Sequence, residues 1–445
     1  MTAPGTLTTG AAGVAVAGAG AGASGRARLL RDATEVADWR LCIGCGACVP
    51  ACGAGLLTMV DRLDDGLRPQ RAQPRGEACA GCSDCLQVCP GLGAPPPADA
   101  PPNGAIPALA AGWGPVLEVW EGHASDAALR HAGSSGGLAN AFALHALEEA
   151  GMHGVLQVAS DPQAPQRNRT QLSRNRDDLL AAAGSRYAPA SPCDALDRIE
   201  NAPGPCVFIG KPCDVQALRK SQARRPALAA RVGLAIGIFC AGTPSSGGTL
   251  ALLARHRIAL APLRGLRYRG QGWPGRFAVQ LQGEPEWHAP ASYAEAWGFL
   301  ESHRPHRCHL CPDGSSEFAD LACGDPWHLD PAAHPEGMSL LLVRTEAGRA
   351  FVRSALAAGR VVLEPVGPAA LEDSQRELRR KRGAIWGRLL ALRALGVPAP
   401  VYPGFPLWRN WRELPWRDKL RALLGTARRA WQRGYRRPMR AGPGA

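Results

Sequence analysis

Eight of the fifteen cysteines in this chain fall into two runs with identical spacing. Each run reads C-x₂-C-x₂-C-x₃-C, the first at Cys42, Cys45, Cys48 and Cys52 and the second at Cys79, Cys82, Cys85 and Cys89, which Pro90 follows. Bacterial ferredoxins use this spacing to hold two [4Fe–4S] clusters through thiolates. Such clusters carry single electrons, so the runs predict that the chain forms part of an electron-transfer path.

The spacing also predicts which thiolates share a cluster, because the fourth cysteine of each run ligates the other cluster in two-cluster ferredoxins. Cys89 should therefore join the first three cysteines of the first run, and Cys52 should join the first three of the second. The first run departs from the usual pattern, since Gly53 stands where a proline usually follows. A zinc site or a set of disulfides is the alternative, but zinc sites take four ligands in two pairs.

Length and charge place this module within a larger protein. A chain of 445 residues is too long for a ferredoxin and predicts about two to three domains. Oxygen-labile clusters indicate a reducing compartment. The sequence has neither a good signal peptide nor an apolar run long enough to span a bilayer, so we expect a cytoplasmic protein. The net charge is +13, of which residues 401–445 carry +9, so basicity belongs mainly to the C-terminal segment.

Composition and periodicity predict five segments. Residues 1–35 form a disordered Ala/Gly-rich tail, 36–95 the ferredoxin-like domain, 96–115 a Pro- and Ala-rich linker, 116–385 the main body, and 386–445 a basic Arg/Trp-rich segment. Within the body, apolar strand-like runs alternate with helical spacing, which is typical of an α/β domain. The predicted fold class is therefore a multidomain α+β/α/β protein.

Several short motifs in the body could bind a phosphorylated cofactor. Ser134, Ser135, Gly136 and Gly137 precede a predicted helix, whose N-terminal N–H groups could meet a phosphate; an ordinary glycine-rich turn is the alternative. Lys211 follows a predicted strand, and ligands of open α/β sheets bind at such strand ends. Between these motifs, Arg186 could pair with a pyrophosphate and Tyr187 could stack on a ring, or both could form a surface pair.

The ordered set of motifs resembles one known family. Along residues 40–385 the chain reads, in order, GSSGG, GSRY, FIGKPCDVQALRK, YRGQGWPG, SYAEAWG, RCxxCPDG and ADLACGD. This set is similar to the beta subunits of coenzyme F-420 hydrogenases and dehydrogenases. The resemblance implies an α/β FAD-binding body of that type behind the two-cluster module, acting as an oxidoreductase with hydride exchange to a deazaflavin such as coenzyme F-420, or to another organic substrate.

The resemblance also implies a flavin site. Its residues would be Ser134, Ser135, Gly136 and Gly137 at the phosphates, with Ser185, Arg186, Tyr187 and Lys211 nearby. Lys211 could also act in catalysis, because a cation beside a flavin ring stabilises the reduced anion; a solvated loop lysine is the alternative. The second function class is an electron-relay subunit that contacts a hydrogenase or dehydrogenase partner and has no small substrate of its own.

Further cysteines of the body stand at motif positions. Cys213, Cys240, Cys308 and Cys311 are candidates for a third [4Fe–4S] cluster next to the flavin, although only the last two have ligand-like CxxC spacing, and buried core thiols are the alternative. Cys213 is also a candidate proton donor to the substrate. We expect Cys193, Cys206 and Cys323 to be structural. Asp313, Asp320 and Asp325 could orient a ligand or cap turns.

The C-terminal segment interleaves tryptophans with arginines. Residues 416–434 can form a basic helix with Leu420, Leu423, Leu424, Ala427 and Trp431 on one side. This pattern suits an anionic membrane surface; an acidic redox partner, such as a ferredoxin or a dehydrogenase subunit, or a tail folded on the body are the alternatives. We expect no nucleic-acid partner, and the sequence leaves a homo-oligomer open.

Overall fold

The computed structural model describes residues 14–16, 28–96 and 101–439 of the chain. Its strands are β1 (Val14–Val16), β2 (Arg28–Leu30), β3 (Leu57–Arg62), β4 (Gly66–Arg71), β5 (Glu118–Ala124), β6 (Gly154–Ser160), β7 (Asn168–Ser173), β8 (Cys206–Gly210), β9 (Val232–Ile238), β10 (Leu263–Arg267), β11 (Arg276–Leu281), β12 (Trp287–Ser292), β13 (Leu321–Gly324), β14 (Ser339–Val343) and β15 (Val361–Pro365).

The helices of the described residues follow the same chain order. They are α1 (Ala33–Asp38), α2 (Asp84–Gln87), α3 (Pro107–Trp113), α4 (Ala127–Ala132), α5 (Leu138–Glu148), α6 (Arg176–Ala181), α7 (Asp197–Glu200), α8 (Pro212–Gln222), α9 (Pro226–Arg231), α10 (Ser246–Arg255), α11 (Tyr293–Leu300), α12 (Glu346–Ala357), α13 (Pro368–Ser374), α14 (Arg376–Ala394), α15 (Leu407–Glu413) and α16 (Trp416–Gln432). None of these helices is both long enough and apolar enough to cross a membrane.

An eight-stranded mixed sheet with strand order β15-β5-β14-β13-β9-β8-β6-β7 forms the centre of the body. Its middle strands β6, β8, β9 and β13 are parallel, and the outer strands pair antiparallel. Parallel strands need cover on both faces and therefore read as continuous apolar runs, as β8 does, being buried along its whole length. Their carboxyl ends meet at one edge, where open sheets place their ligands.

Helices cover both faces of this sheet because successive strand residues point in opposite directions. Val207 and Leu234 pack with Phe142 of α5 on one face. Phe208 and Ala235 pack on the other face, in a cluster that includes α8 and the ferredoxin-like region. A separate three-stranded antiparallel sheet, β10-β11-β12, packs against α10 and α11 beside the carboxyl edge.

The ferredoxin-like region docks directly on the body through hydrogen bonds to its cysteine loops. The Cys193 N–H donates to the Cys45 carbonyl (2.9 Å), and Lys220 Nζ donates to the Cys89 carbonyl (3.0 Å). Arg307 donates to the carbonyls of Gly91 (3.1 Å) and Pro90 (2.9 Å). The apolar clusters of the two regions are also shared, so the region is packed as part of the body.

Three predicted boundaries are wrong where the structure describes them. Residues 28–35 of the predicted tail form β2 and the start of α1, because Asp32 caps that helix by accepting from the N–H groups of Thr34 and Glu35; most of residues 1–27 lies outside the described residues. The predicted linker contains α3, whose Trp113 is buried and donates to Glu372 (2.8 Å). The boundary at 385/386 falls inside α14.

Candidate functional site

A large cavity of about 1120 Å³ lies at the carboxyl edge of the parallel strands. The loops after β8, β9 and β13 line it, together with the two glycine–serine loops of the body. Of the residues that the sequence predicts for a flavin site, all but one line this cavity: Ser134, Ser135, Gly137, Ser185, Arg186, Tyr187 and Lys211. The exception is Gly136, which lies behind the wall, where an added Cβ would meet the Gly122 carbonyl oxygen at 2.7 Å.

The two glycine–serine loops hold each other in place. Ser134 Oγ accepts from the N–H of Ser185 (2.5 Å), which ties the two loops together. Gly137 has a φ of +74°, and an added Cβ would lie 2.6 Å from the Leu129 carbonyl oxygen, so the turn into α5 requires glycine. Gly184 has a φ of +97°. These turns bring backbone N–H groups and hydroxyls to the cavity wall.

Arg186 supports the wall and is not free to bind a pyrophosphate. Its guanidinium makes four hydrogen bonds to the protein: to Asn168 Oδ1 (2.8 Å) and to the carbonyls of Leu266 (2.7 Å), Pro165 (2.5 Å) and Arg167 (3.1 Å). Since a guanidinium has five N–H groups, little donor capacity is left for a ligand. Burial lowers the pKa of Arg186.

A second arginine of the cavity, Arg269, was not identified from the sequence. It is buried and forms a two-pronged ion pair with Asp325 (2.6 and 3.0 Å), to which Trp273 Nε1 also donates (2.9 Å). Burial opposes its charge, but Asp325 raises the pKa of Arg269, so the guanidinium stays protonated. The motifs YRGQGWPG and ADLACGD contain these residues, but their pairing depends on the fold.

Aromatic rings surround this ion pair. Tyr293 and Trp327 stack with centroids 5.5 Å apart and planes 3° apart, and the Arg269 guanidinium lies 4.5 Å from the Tyr293 ring centroid. Tyr187 packs 5.0 Å from Trp297. A wall of rings next to a buried cation suits a planar, electron-rich ligand.

Lys211 lies where the cavity meets the cysteines of the body. It stands at the N-terminus of α8, and its Nζ lies 2.7 Å from Asp214 Oδ2. Burial opposes the charge of the ammonium, but Asp214 and neighbouring thiols raise the pKa of Lys211. The lysine is therefore a paired cation whose side chain is only 16% exposed, and the alternative of a solvated loop residue does not hold.

The four candidate cysteines of the body, Cys213, Cys240, Cys308 and Cys311, converge around one region, here called the quartet. Burial raises the pKa of Cys213, and Cys240 and Cys311 raise it further. Cys308 and Cys311 in turn raise the pKa of Cys240, so the four thiols lie close enough to interact. Burial raises the pKa of the Cys240 thiol to about 11, while Lys381 opposes that shift. Cys240 also lines the large cavity.

The environment of the quartet fits an anionic cluster. Arg307 is buried, uses Nε and Nη2 on backbone carbonyls, and leaves Nη1 without a partner among the described residues. Burial lowers the pKa of Arg307, whereas Cys311, Cys213 and Cys308 raise it. The guanidinium therefore interacts electrostatically with the quartet. An unpaired buried donor costs about 1–3 kcal/mol, and a cluster sulfur would satisfy it.

Four of the ferredoxin-type cysteines, those that the crossed pattern assigns to the first cluster, surround one small cavity. They are Cys42, Cys45, Cys48 and Cys89. Cys52 and Cys85 pack on the same apolar cluster, while Cys82 is exposed and Cys79 lies 3.9 Å from Arg71 Nη1. In the described part of the chain, no three His, Cys, Asp or Glu side chains converge on the position of a single metal ion; the thiols spread around cavities instead.

The three cysteine sets form a series from the surface to the large cavity. The second run contains the exposed Cys82, and the first set is largely buried. A further small cavity, lined by Cys42, Lys211, Arg307 and Cys308, separates the first set from the quartet. The quartet then reaches the large cavity at Cys240.

The remaining candidates have local structural partners. Asp313 accepts from the N–H groups of Ser315 and Glu317 and so stabilises the turn that follows it. Asp320 accepts from the N–H of Ala235 in β9 and pairs with Arg219 (3.0 Å), so it ties the sheet to α8. Cys193 and Cys206 are buried in the core, and Cys323 is buried in the cavity wall.

Comparisons with known proteins agree with this arrangement. Models for the beta subunit of coenzyme F420 hydrogenase/dehydrogenase match residues 119–197 (N-terminal part) and 205–369 (C-terminal part). A 4Fe-4S dicluster domain model matches residues 41–91. The coenzyme F420 hydrogenase subunit beta of Methanococcus voltae is 24% identical over 288 residues, which cover 62% of this chain and 95% of that protein.

Two further similarities cover more of this chain. The coenzyme F420-dependent sulfite reductase of Methanocaldococcus jannaschii is 24% identical over 366 residues, 78% of this chain, and the chain spans 50% of that protein. A chain of the F420-reducing [NiFe] hydrogenase complex from Methanosarcina barkeri has the same fold, with a TM-score of 0.51 and 20% identity over 65% of this chain and 97% of that one. The chain thus belongs to the coenzyme F420 hydrogenase/dehydrogenase beta-subunit family and carries a 4Fe-4S dicluster domain before its family core.

Proposed function

We propose that the protein is an iron–sulfur flavoprotein oxidoreductase that passes electrons between ferredoxin-type [4Fe–4S] clusters and FAD, with hydride exchange to a deazaflavin or another organic substrate. One observation carries the proposal: the series of cysteine sets runs from the exposed Cys82 to Cys240, and Cys240 lines the same cavity as the glycine–serine loops. A path that begins at the surface and ends at a ligand cavity is what an external electron donor or acceptor requires.

The cavity fits FAD in size and in chemistry. Its volume of about 1120 Å³ lies just above the range of about 300–1,000 Å³ for sites of drug-sized ligands, as a larger cofactor such as FAD requires. When bound, FAD supplies the exchange between one-electron and two-electron steps. Ser134, Ser185 and the N–H groups of their loops would hold its phosphates, and Lys211 would supply positive charge. Arg269, whose guanidinium is engaged by Asp325, Pro274 and Ser134, would hold the wall in place, and the aromatic rings would exclude water.

The cysteines would hold three clusters. Cys42, Cys45, Cys48 and Cys89 would ligate the first and Cys79, Cys82, Cys85 and Cys52 the second, with the quartet as the third. Arg307 would supply a buried donor between the first and third. The relatives are named for coenzyme F420, which supports a deazaflavin as the hydride partner.

An electron-relay subunit is the second candidate function. Two relatives are named as subunits of coenzyme F420 hydrogenases, and the structural match is a chain of such a complex. A relay subunit would carry the same cofactors, but its flavin would be reduced only in the presence of a partner chain. Reduction of coenzyme F-420 or of bound flavin by the isolated protein with reduced ferredoxin would favour the reductase.

Anaerobic reconstitution with quantified iron, sulfide and flavin tests the cofactors. We expect about twelve irons per chain, where two clusters alone would give about eight. Cys240→Ser should lower the iron to about eight and leave the ferredoxin-type clusters in place. The matched control is Cys323→Ser, which alters a cysteine in the same cavity wall but outside the quartet. A flavin-free protein after reconstitution would contradict the proposal.

A further inference from the structure

The C-terminal helix α16 packs on the body with its small residues and exposes its large apolar ones. Ala422, Thr426 and Ala430 recur every fourth residue, lie on one side and are buried. Trp416, Leu420, Leu424 and Trp431 lie on another side and are 66%, 46%, 65% and 69% exposed, respectively. A helix stabilised only by its own protein buries its large apolar side chains, so this orientation indicates a second apolar environment.

The exposed residues form one continuous row, here called the apolar stripe. Its positions 416, 420, 424 and 431 share one face by helical spacing. At 1.5 Å per residue the stripe is about 22 Å long, with a tryptophan at each end. Tryptophan is the side chain that favours the boundary between an apolar phase and water.

Positive charge lies along the stripe. Arg417, Arg421 and Arg428 are exposed on the same helix, and residues 416–439 contain seven arginines and one lysine against a single acid, Asp418. That acid is paired with Arg380 of α14 (2.6 and 3.0 Å) and with Arg421 of its own helix (3.2 Å), so Arg417 and Arg428 carry the positive charge that it leaves uncompensated beside the stripe. The Arg417 guanidinium lies 5.6 Å from the Trp416 ring centroid, so an aromatic ring and a cation are presented together.

The helix is fixed in this orientation at both ends. The ion pair between Asp418 and Arg380 holds its first turn to α14. After the helix, Tyr435 packs 4.2 Å from the His306 ring, and the Met439 N–H donates to the Asp38 carbonyl (2.8 Å). The stripe therefore cannot turn inward without breaking these contacts.

We propose that the apolar stripe of α16 docks the protein on an anionic lipid bilayer surface, with the helix lying in the plane of the interface. The stripe would enter the boundary of the acyl chains, and the flanking arginines would contact anionic headgroups. A second copy of this chain fits less well, because two such helices would bring like charges together. An acidic protein would satisfy the arginines but would not need a row of tryptophan and leucine.

Co-sedimentation with lipid vesicles tests the proposal on the full chain. We expect binding to vesicles of phosphatidylcholine with phosphatidylglycerol, much weaker binding to phosphatidylcholine alone, and weakening by salt. Leu420→Gln/Leu424→Gln should reduce binding by about tenfold or more. The matched control is Leu63→Gln/Leu260→Gln, which alters two leucines of similar exposure, 49% and 45%, away from the helix, and should bind like the unmodified protein.

A second pair of variants tests the contribution of positive charge to vesicle binding. Arg417→Gln/Arg421→Gln/Arg428→Gln should reduce both the binding and its salt dependence, whereas the same change at three other exposed arginines, Arg169, Arg257 and Arg264, should reduce them less. Circular dichroism and iron content check that each variant is folded.

Three outcomes would overturn the proposal. The first is no binding to phosphatidylglycerol vesicles at low salt. The second is binding that the stripe variant leaves unchanged and that polyglutamate competes away, which would assign the surface to an acidic partner. The third is a dimer in sedimentation that the stripe variant dissociates while no variant binds vesicles. None of these outcomes depends on flavin content, so the proposed redox function stands or falls separately.

Discussion

Lys211 and Asp214 form a buried ion pair between the large cavity and the quartet. Their side chains lie 2.7 Å apart, and Asp214 is almost fully buried. Replacing a buried ion pair by neutral groups is often tolerated, whereas removing one partner leaves an uncompensated charge. The pair therefore sets the charge between the large cavity and the quartet, and the contributions of its two members can be separated by substitution.

Lys211→Met should destabilise the protein by about 3 kcal/mol, because it leaves the Asp214 carboxylate buried without its cation. Lys211→Met/Asp214→Asn should recover most of that loss, since both charges are then absent. Anaerobic thermal unfolding of the single and double variants measures the difference. Equal losses in both variants would mean that the lysine acts through packing and not through its charge.

Asp194 gives a pH-dependent prediction. Burial raises the pKa of its carboxyl to about 6, whereas in the unfolded chain the pKa is near the ordinary value of 3.8. Between these pH values the folded state binds the carboxyl proton more tightly than the unfolded state does. The free energy of unfolding therefore falls as the pH rises, and the loss is complete above about pH 6. Asp194→Asn removes this loss of stability.

We expect Asp194→Asn to be more stable than the unmodified protein by about 1–3 kcal/mol near pH 7.5, with the difference shrinking towards about pH 5. The asparagine can still accept the hydrogen bond that Thr170 donates (3.4 Å). Thermal unfolding at the two pH values tests this. A constant or growing advantage at the lower pH would contradict the sign.

The two arginines of the cavity show the limit of sequence reasoning for single residues. Arg186 was predicted because it stands between serine and tyrosine in a glycine turn, but backbone carbonyls distant in sequence occupy its guanidinium. Arg269 stands in an equally notable motif, and only the fold brings Asp325, 56 positions away, to its side. Residue type and spacing identify candidate side chains, whereas their partners depend on tertiary contacts.

At the scale of elements, the cavity wall depends on turns that require left-handed backbone. Gly184 has a φ of +97°, and the atoms nearest to an added Cβ would lie 3.7 Å away, an ordinary van der Waals contact. Gly151 has a φ of +65°, with nothing within 4 Å of such a Cβ. A side chain at either position would therefore strain the backbone without a steric clash. Of the two glycines, only Gly184 lines the cavity.

Gly184→Ala and Gly151→Ala should each cost about 1–2 kcal/mol of stability. Only Gly184→Ala should also weaken FAD binding, by about tenfold or more, because the turn presents the Ser185 N–H that bonds Ser134. Flavin titration of the reconstituted variants measures this. Equal FAD affinity in the two variants would show that the glycine–serine loops do not contact the cofactor.

Regular elements of the body were largely predictable, because apolar runs and helical periodicity are local. Strand β8 ends at Gly210, directly before Lys211 as predicted, and α16 begins at the predicted Trp416. The predicted linker failed because its Pro- and Ala-rich composition is that of a flexible segment, yet Leu109 and Trp113 of α3 bury their side chains against distant residues. Burial of that kind is not visible in a local window.

At the scale of the molecule, the ferredoxin-like region exposes one cysteine of the second set and buries three of the first. Cys82 is exposed, whereas Cys42, Cys45 and Cys48 are buried. Ser191 donates to the Gly44 carbonyl (2.7 Å) and Cys193 to that of Cys45 (2.9 Å), so the body covers the loop of the first set. The sequence predicted both runs and their crossing but not this asymmetry, because both runs have the same spacing.

Iron release should therefore occur in two phases. With a chelator under mild oxidation, about four irons per chain should leave first, from the second cluster, and the remainder should leave only as the protein unfolds. Cys82→Ala should abolish the fast phase and leave the slow one. Release in a single phase, or a fast phase that survives this substitution, would contradict the assignment of the exposed cluster.

The cover over the first set also constrains how the protein is made. The hydrogen bonds from Ser191, Cys193, Lys220 and Arg307 close over the first cysteine loop and the end of the second run. We therefore expect cluster insertion there to precede docking of the N-terminal region on the body. In the cell, the biogenesis machinery would have to act while the chain is still partly open, and oxidative loss of the inner cluster would be repaired by resynthesis, whereas the outer one could be rebuilt in place.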